Sequence, residues 1–175
     1  MQRVLVIGSG GAGKSTLARQ LGERLGLPVI HLDAHYWQAG WTETPTDEWT
    51  AQVARLIGDE AWVMDGNYSG TLDLRIPAAD TIVFLDLPRT VCLWRVLRRR
   101  LAFHGRARPD VCPGCPERIS WEFIDWIWNY QARQRPRVLA RLRAVAGEKR
   151  VFVLRSSREV KGFIQGLGAE SDQGN

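Results

Sequence analysis

Residues 8–16 read Gly-Ser-Gly-Gly-Ala-Gly-Lys-Ser-Thr, a complete G-x-x-x-x-G-K-[ST] loop. The motif constrains the fold because it works only between a buried strand and a helix. Both flanks are present. Val4-Leu5-Val6-Ile7 is an unbroken apolar run, suited to a parallel strand covered on both faces. Leu17, Leu21 and Leu25 follow at helical spacing. Glycines in the loop let the backbone approach an anion, and successive N–H groups form a nest for phosphate oxygens. The helix adds the positive end of its dipole. Gly8, Ser9, Gly10, Gly11, Ala12, Gly13, Lys14, Ser15 and Thr16 are therefore expected to hold a nucleoside triphosphate. Lys14 is expected to reach the β- and γ-phosphates, and the Ser15 hydroxyl to ligate Mg²⁺.

The remaining chain alternates apolar strands with amphipathic helices. The first strand spans about residues 2–7, and its helix runs to Leu25, where Gly26 and Pro28 stop it. Residues 29–32 form a second strand ending at Asp33, where open α/β sheets bind ligands. An aromatic loop follows at 34–41. Thr46-Asp47-Glu48 reads as an N-cap and acidic first turn of a helix to about Gly58. A third strand at 61–64 ends at Asp65, a short helical piece covers 72–76, and a fourth strand at 81–85 ends at Asp86 before Pro88. A helix at 89–103 carries Arg95 and Arg99. Residues 104–117 contain three prolines, two glycines, Arg106 and Arg108, and read as a lid. The next helix, from Trp121, looks apolar on most sides, which assigns Trp121, Trp126 and Trp128 to the core. It breaks before Pro136 and continues to about Ala146. A fifth strand at 150–154 and a helix at 157–167 complete one α/β domain, residues 1–168: a three-layer sandwich on a five-stranded parallel sheet. Residues 169–175 are expected to be a flexible tail.

Hydrophobic residues at 45% and charged residues at 25% suit an ordinary globular chain. No apolar run nears the roughly 20 residues a membrane span needs, and the chain enters its first strand without a signal-like segment. A cytoplasmic protein is the expectation. Net charge is +5, and of 24 basic residues only Lys14, Lys149 and Lys161 are lysine. Arginine is the better bidentate phosphate ligand. Nucleic-acid binding also suits a basic chain, but clustering over Arg89–Arg108 suits a phosphate site at least as well. The three cysteines, Cys92, Cys112 and Cys115, argue against a disulfide framework in that compartment. Cys112-Pro-Gly-Cys115 has no second C-x-x-C and only His104 nearby, so a tight turn with incidental thiols is preferred over zinc or redox chemistry.

The chain resembles P-loop kinases of the adenylate kinase and shikimate kinase type. More closely it resembles the DNA topology modulation proteins of that group. The blocks carrying the closer likeness are His31-Leu32-Asp33, Tyr36-Trp37, Gly40-Trp41, Trp62 to Tyr68, Phe84 to Pro88, and Gly114 to Arg118. The resemblance spans roughly residues 2–155. It implies sheet order 2-3-1-4-5, an Arg-rich lid between the fourth and fifth strands, and ATP with Mg²⁺ as cofactors. It implies that Asp65 orients Mg²⁺ through water. Where adenylate kinases follow the Asp-Gly pair with an arginine for the monophosphate, this chain has Ser69, and Arg75 is the nearest arginine. It also implies that Arg95 and Arg99, sharing one helix face, meet adenine and phosphates. Arg106 and Arg108 would close on phosphate.

The expected catalytic set is therefore Lys14, Asp33, Asp65, Arg95 and Arg99, with Ser15 and Asp65 serving the metal. Asp33 is read as a Mg²⁺ ligand or as the base for an acceptor hydroxyl. Asp86 is read as a structural turn. His35 is given a turn or packing role ahead of a base role. Tyr36, Trp37, Trp41 and Tyr68 wall an acceptor pocket or pack the core. The expected activity is γ-phosphoryl transfer from Mg-ATP to a small acceptor: a nucleotide, nucleoside or hydroxylated metabolite. The alternatives are a nucleotide-dependent regulator acting on DNA topology and an ATPase switch without acceptor. Monomer and homodimer are both open.

Overall fold

The computed structural model describes residues 1–103, 110–116 and 119–171, with side chains described as far as Leu167. Residues 104–109 and 117 of the lid expected at 104–117 lie outside them, as do Arg106, Arg108 and the end of the expected tail.

Five strands form one parallel sheet: β1 (Arg3–Gly8), β2 (Val29–His31), β5 (Trp62–Asp65), β6 (Thr81–Leu85) and β7 (Arg150–Leu154). Their spatial order is β2-β5-β1-β6-β7. Counted among sheet strands alone this is 2-3-1-4-5, the order the resemblance implies. Alternate β1 residues serve opposite faces, as a period of two requires. Leu5 and Ile7 join one core cluster, Val4 and Val6 the other, and all four are fully buried. On the first face lie α3 (Thr46–Leu56), α4 (Leu72–Ala78) and α7 (Arg135–Val145), contributing Trp49, Val53, Leu72, Val138 and Leu142. On the second lie α1 (Lys14–Leu25), α5 (Arg89–Ala102), α6 (Trp121–Arg133) and α8 (Ser157–Ser171). The sheet is thus covered on both sides, which is why its strands read as near-continuous apolar runs.

Several expectations give way. The second strand stops at His31, and Leu32 opens a short helix, α2 (Leu32–Tyr36), so Asp33 sits in a first helical turn. Leu32 is fully buried and lies over Gly66, where a Cβ would sit 2.7 Å from the Leu32 Cβ. The expected aromatic loop also contains a hairpin, β3 (Trp37–Gln38) with β4 (Thr42–Glu43). Pro45 occupies the N-cap of α3 and Thr46 lies inside the helix, its hydroxyl making no cap bond. Helix α8 runs to Ser171, past the start of the expected tail, since Ala169 and Glu170 favour helix.

The aromatic helix is the largest correction. Helix α6 buries one stripe, with Ile127 and Tyr130 inside and Phe123 and Trp126 packed beside them. Trp121 and Trp128 fall outside that stripe and are exposed. Only Trp126 of the three packs against the core. Cys112 and Cys115 likewise are no incidental thiols. They are paired as a disulfide, both buried, because the Pro113-Gly114 turn brings their Cα atoms to 5.7 Å. They pack with Val111 against Trp37 and Trp41. Gly40 N donates to Gly114 O at 3.1 Å and Trp41 Nε1 to Pro116 O at 3.0 Å, so this part of the lid docks on the hairpin.

Candidate phosphate-binding cleft

The loop between β1 and α1 is built by its own backbone and by the helices that close on it. Gly11 takes φ +76°, and a Cβ there would collide with the Cys92 carbonyl of α5. Only glycine satisfies both conditions. Phe123 of α6 packs onto Gly10 from the other side. Lys14 Nζ donates to the Ser9 carbonyl at 3.0 Å across the loop. Burial pushes the Lys14 pKa down, Asp33 and Asp65 pull it up, and Arg99 pushes it down again. Lys14 therefore lies within electrostatic reach of three other candidate site residues.

A cleft of about 1080 Å³ opens above this loop. It is lined by Gly10 to Thr16, Asp33, Arg95 and Arg99, with Trp37, Trp41 and Tyr68 at the hairpin end. Asp33 accepts a hydrogen bond from the Tyr68 hydroxyl at 2.7 Å. Burial first, then the Asp33 charge and bond, push the Tyr68 pKa far up, so the phenol stays a donor. Asp65 does not line the cleft. It is buried on β5 beside Val6 and takes a 2.5 Å bond with His31 Nδ1. Burial alone would lower the His31 pKa; the bond and charge of Asp65 outweigh it and raise the value.

Arg95 donates to the Ala12 carbonyl and to Ser157 Oγ, each at 2.9 Å, and so ties the loop to α5 and α8. Arg99 lines the same cleft one helical turn further on. Asp86 is held by Arg135 through a two-pronged pair at 2.8 to 3.0 Å, in keeping with a structural turn. His35 meets Gln52 at 3.4 Å outside the cleft lining. Tyr36 and Tyr68 pack with Trp49 and the edge of the core, so the aromatics serve both of the roles left open for them.

Arg75 is the residue whose role the sequence hid. It is fully buried, with bonds to the carbonyls of Gly66, Asn67 and Tyr68 at 2.7 to 3.0 Å and to Thr71 Oγ1 at 3.1 Å. Burial pushes its pKa down to about 9, still above neutral pH, so a charged guanidinium sits in the core. With its donors turned inward, Arg75 supports the Gly66–Tyr68 turn rather than an acceptor phosphate. No local signal marks the other pairings around the cleft. Their members lie 34 to 49 positions apart at Asp65–His31, Asp33–Tyr68 and Asp86–Arg135.

The donor set suits Mg²⁺. The Ser15 hydroxyl and Asp33 carboxylate of the cleft offer only oxygen, and no group of three metal-ligating side chains exists among the described residues. Mg²⁺ is commonly held that way, by one or two protein oxygens together with phosphates and water. Ser9 Oγ is buried without a hydrogen-bond partner in the same loop. No described helix is long and apolar enough to cross a membrane.

No family model matches the chain, and no curated protein sequence matches it. Solved structures do. Shikimate kinase from Acinetobacter baumannii, in complex with shikimate, aligns over 100% of this chain and 96% of its own at 15% identity and a TM-score of 0.58. A gluconokinase from Sinorhizobium meliloti 1021 aligns over 99% and 98% at 20% identity and 0.54. Deoxyadenosine kinase from M. mycoides aligns over 97% and 98% at 13% identity and 0.51. At such identities the shared property is the fold alone.

Proposed function

We propose that the chain transfers the γ-phosphoryl group of Mg-ATP to a hydroxyl of a small acceptor. The observation that carries this reading is that one cleft contains both the phosphate loop, with Lys14 and Ser15, and the Asp33 carboxylate oriented by Tyr68. A loop that only bound and hydrolysed nucleotide would need no second, side-chain-built end.

In this reading Gly8 to Thr16 cradle the triphosphate, and a phosphate oxygen satisfies the orphaned Ser9 hydroxyl. Lys14 neutralises charge on the β- and γ-phosphates, and Ser15 ligates Mg²⁺, which supplies further neutralisation when bound. Asp33 accepts the proton of the attacking hydroxyl. Asp65, bonded to His31, stays assigned to orienting the water of a bound Mg²⁺. Arg99 stabilises charge on the transferring group. Arg95 holds the loop against α5, and Arg106 and Arg108 stay assigned to the closing lid. The narrower kinship, with topology modulation proteins, rests on the sequence blocks His31 to Asp33, Tyr36-Trp37, Gly40-Trp41, Trp62 to Tyr68, Phe84 to Pro88 and Gly114 to Arg118.

The test is ADP production from Mg-ATP over a panel of nucleoside monophosphates, nucleosides and small hydroxylated metabolites, with Lys14→Ala as blank. Stimulation by one acceptor, lost in Lys14→Ala and in Asp33→Asn, is the expected outcome. Slow hydrolysis that no acceptor stimulates, and that Asp33→Asn leaves unchanged, overturns the reading.

A further inference from the structure

The bridged turn at Cys112–Cys115 stands directly behind the hairpin end of the cleft. Together with Val111 the two cysteines pack on Trp37 and Trp41. Both of those rings line the cleft that also holds Asp33 and Tyr68. A change at the sulfurs is therefore one packing contact away from the cleft.

The hairpin tip depends on that turn. Trp41 takes φ +64°, alone among the described non-glycine residues in the left-handed region. A bulky residue adopts that conformation only where its surroundings hold it. Within the hairpin, Trp41 N donates to Gln38 O at 3.0 Å, and the Trp37 ring stands 5.3 Å from the Trp41 ring. The other ties come from the bridged segment. Gly40 N donates to the Gly114 carbonyl at 3.1 Å, and Trp41 Nε1 donates to the Pro116 carbonyl at 3.0 Å. Closing the bridge fixes the turn, and the carbonyls of the turn fix the tip.

Both oxidation states have a place here. The Gln38 carbonyl lies 3.2 Å from Cys115 Sγ. A disulfide sulfur has no hydrogen to donate, whereas a thiol has one. The acceptor for the reduced form is thus already in position. The bridge joins residues three positions apart, so it removes little chain entropy from the unfolded state. Neither cysteine belongs to the two clusters that pack the faces of the sheet. Opening the bridge therefore leaves the domain folded and acts on the hairpin end alone.

We propose that Cys112 and Cys115 form a reversible dithiol–disulfide site whose redox state sets the shape of the hairpin end of the cleft. The reductant is a low-molecular-weight thiol. Its thiolate attacks Cys112 Sγ, the more exposed sulfur at 6% against 1% for the Cys115 residue. The protein S–S bond breaks, and Cys115 leaves as a thiolate, takes a proton and donates it to the Gln38 carbonyl. A second reductant thiolate attacks the reductant sulfur of the mixed disulfide and releases Cys112, which is protonated in turn. Two electrons and two protons pass to the protein, and the reductant departs as its own disulfide. Two unbonded sulfurs need more room than a bonded pair. The turn then opens, and the Gly114 and Pro116 carbonyls lose their fixed places opposite Gly40 and Trp41.

The test equilibrates the full chain in glutathione buffers running from oxidised to reduced. Thiols are trapped by alkylation and located by mass, and tryptophan fluorescence is followed in parallel. Cys112 and Cys115 should pass together from bridged to alkylated in one two-electron transition. Fluorescence should change with the same midpoint, and the melting temperature should move little. Cys112→Ser should show no redox response, and Trp41→Phe should lose most of the fluorescence change. One further arm rests on the kinase reading. Reduction should raise KM for the acceptor about fivefold, the worth of one neutral hydrogen bond, and leave KM for ATP unchanged. Failure of every acceptor to stimulate overturns the kinase reading alone, because the thiol and fluorescence arms need no acceptor. Thiols that stay unbridged in oxidised buffer overturn the proposal, as do thiols that retain zinc and resist oxidation. So do a bridge that forms without a fluorescence change, a bridge reduced only as the chain unfolds, and an acceptor KM that reduction leaves unchanged.

Discussion

The two ends of the cleft are built on opposite principles. The phosphate end is made from consecutive residues, Gly8 to Thr16, and its chemistry comes from backbone N–H groups and the first turn of α1. The hairpin end depends on side chains: Tyr68 meets Asp33 across the fold, and behind the cleft His31 holds Asp65 while Arg75 supports the Gly66–Tyr68 turn. A backbone-built site tolerates change at its neighbours but not in its own loop. A side-chain-built site can be dismantled from a distance, through residues that touch no ligand. Ranking substitutions on one free-energy scale shows whether the two ends differ in this way.

The largest effect belongs to the phosphate end. Lys14→Ala is expected to lower acceptor-dependent ADP formation by about 10³-fold, roughly 4 kcal/mol, with little change in melting temperature. Among the described residues the Lys14 ammonium makes its hydrogen bond to the Ser9 carbonyl alone, so its loss is expected to cost chemistry rather than stability. Steady-state rates together with thermal melts check the separation. A large fall in melting temperature would show that the phosphate end, too, depends on side chains.

Arg75 is the counterpart at the other end. Arg75→Met fills similar volume but leaves the Gly66, Asn67 and Tyr68 carbonyls without their donor. A loss of about 3 kcal/mol in urea unfolding is expected. Arg75→Lys keeps a charge but lacks the planar fork that reaches several carbonyls together, and should fall between. If Arg75→Met were as stable as the parent, the turn would be held by something else. Asp33→Asn comes next. It removes the proton acceptor while keeping the shape, and should lower kcat about 10²-fold with the fold intact.

This contrast also explains what the sequence disclosed. The strands, their order and the phosphate loop depend on local pattern, so Val4 to Ile7, the loop glycines and the leucines of α1 could be read directly. The short helix at Leu32 could not, because it follows from Leu32 packing on Gly66, 34 positions away. The exposure of Trp121 and Trp128 is hidden from the sequence for a related reason. Hydrophobicity alone does not separate a residue facing the core from one facing outward, and the stripe of Phe123, Ile127 and Tyr130 already covers the inward side. The pairing of Cys112 with Cys115 depends on the turn at Pro113-Gly114 and on burial against Trp37 and Trp41, which spacing alone leaves undecided. Asp33 and Asp65 both read as strand-end acids, yet of the two only Asp33 lines the cleft.

The smallest expected effect is also the sharpest test of the comparison. Tyr68→Phe deletes one oxygen and leaves the ring in its place among Tyr36 and Trp49. A hydrogen bond to a charged group is worth about 1.5–3 kcal/mol, but water in the cleft can replace the lost donor, so the net cost should be about 1 kcal/mol. The expected result is a fall in kcat of about fivefold, with KM for ATP unchanged and the unfolding transition nearly where it was. That pattern would mark Tyr68 as a positioning residue that acts through Asp33. A rise in KM for ATP would instead link Tyr68 to the phosphate end and erase the division between the two. Combining Tyr68→Phe with Asp33→Asn decides between them. If the hydroxyl acts only through the carboxylate, the double variant should be no slower than Asp33→Asn alone, and an additive loss would show that Tyr68 contacts the acceptor itself.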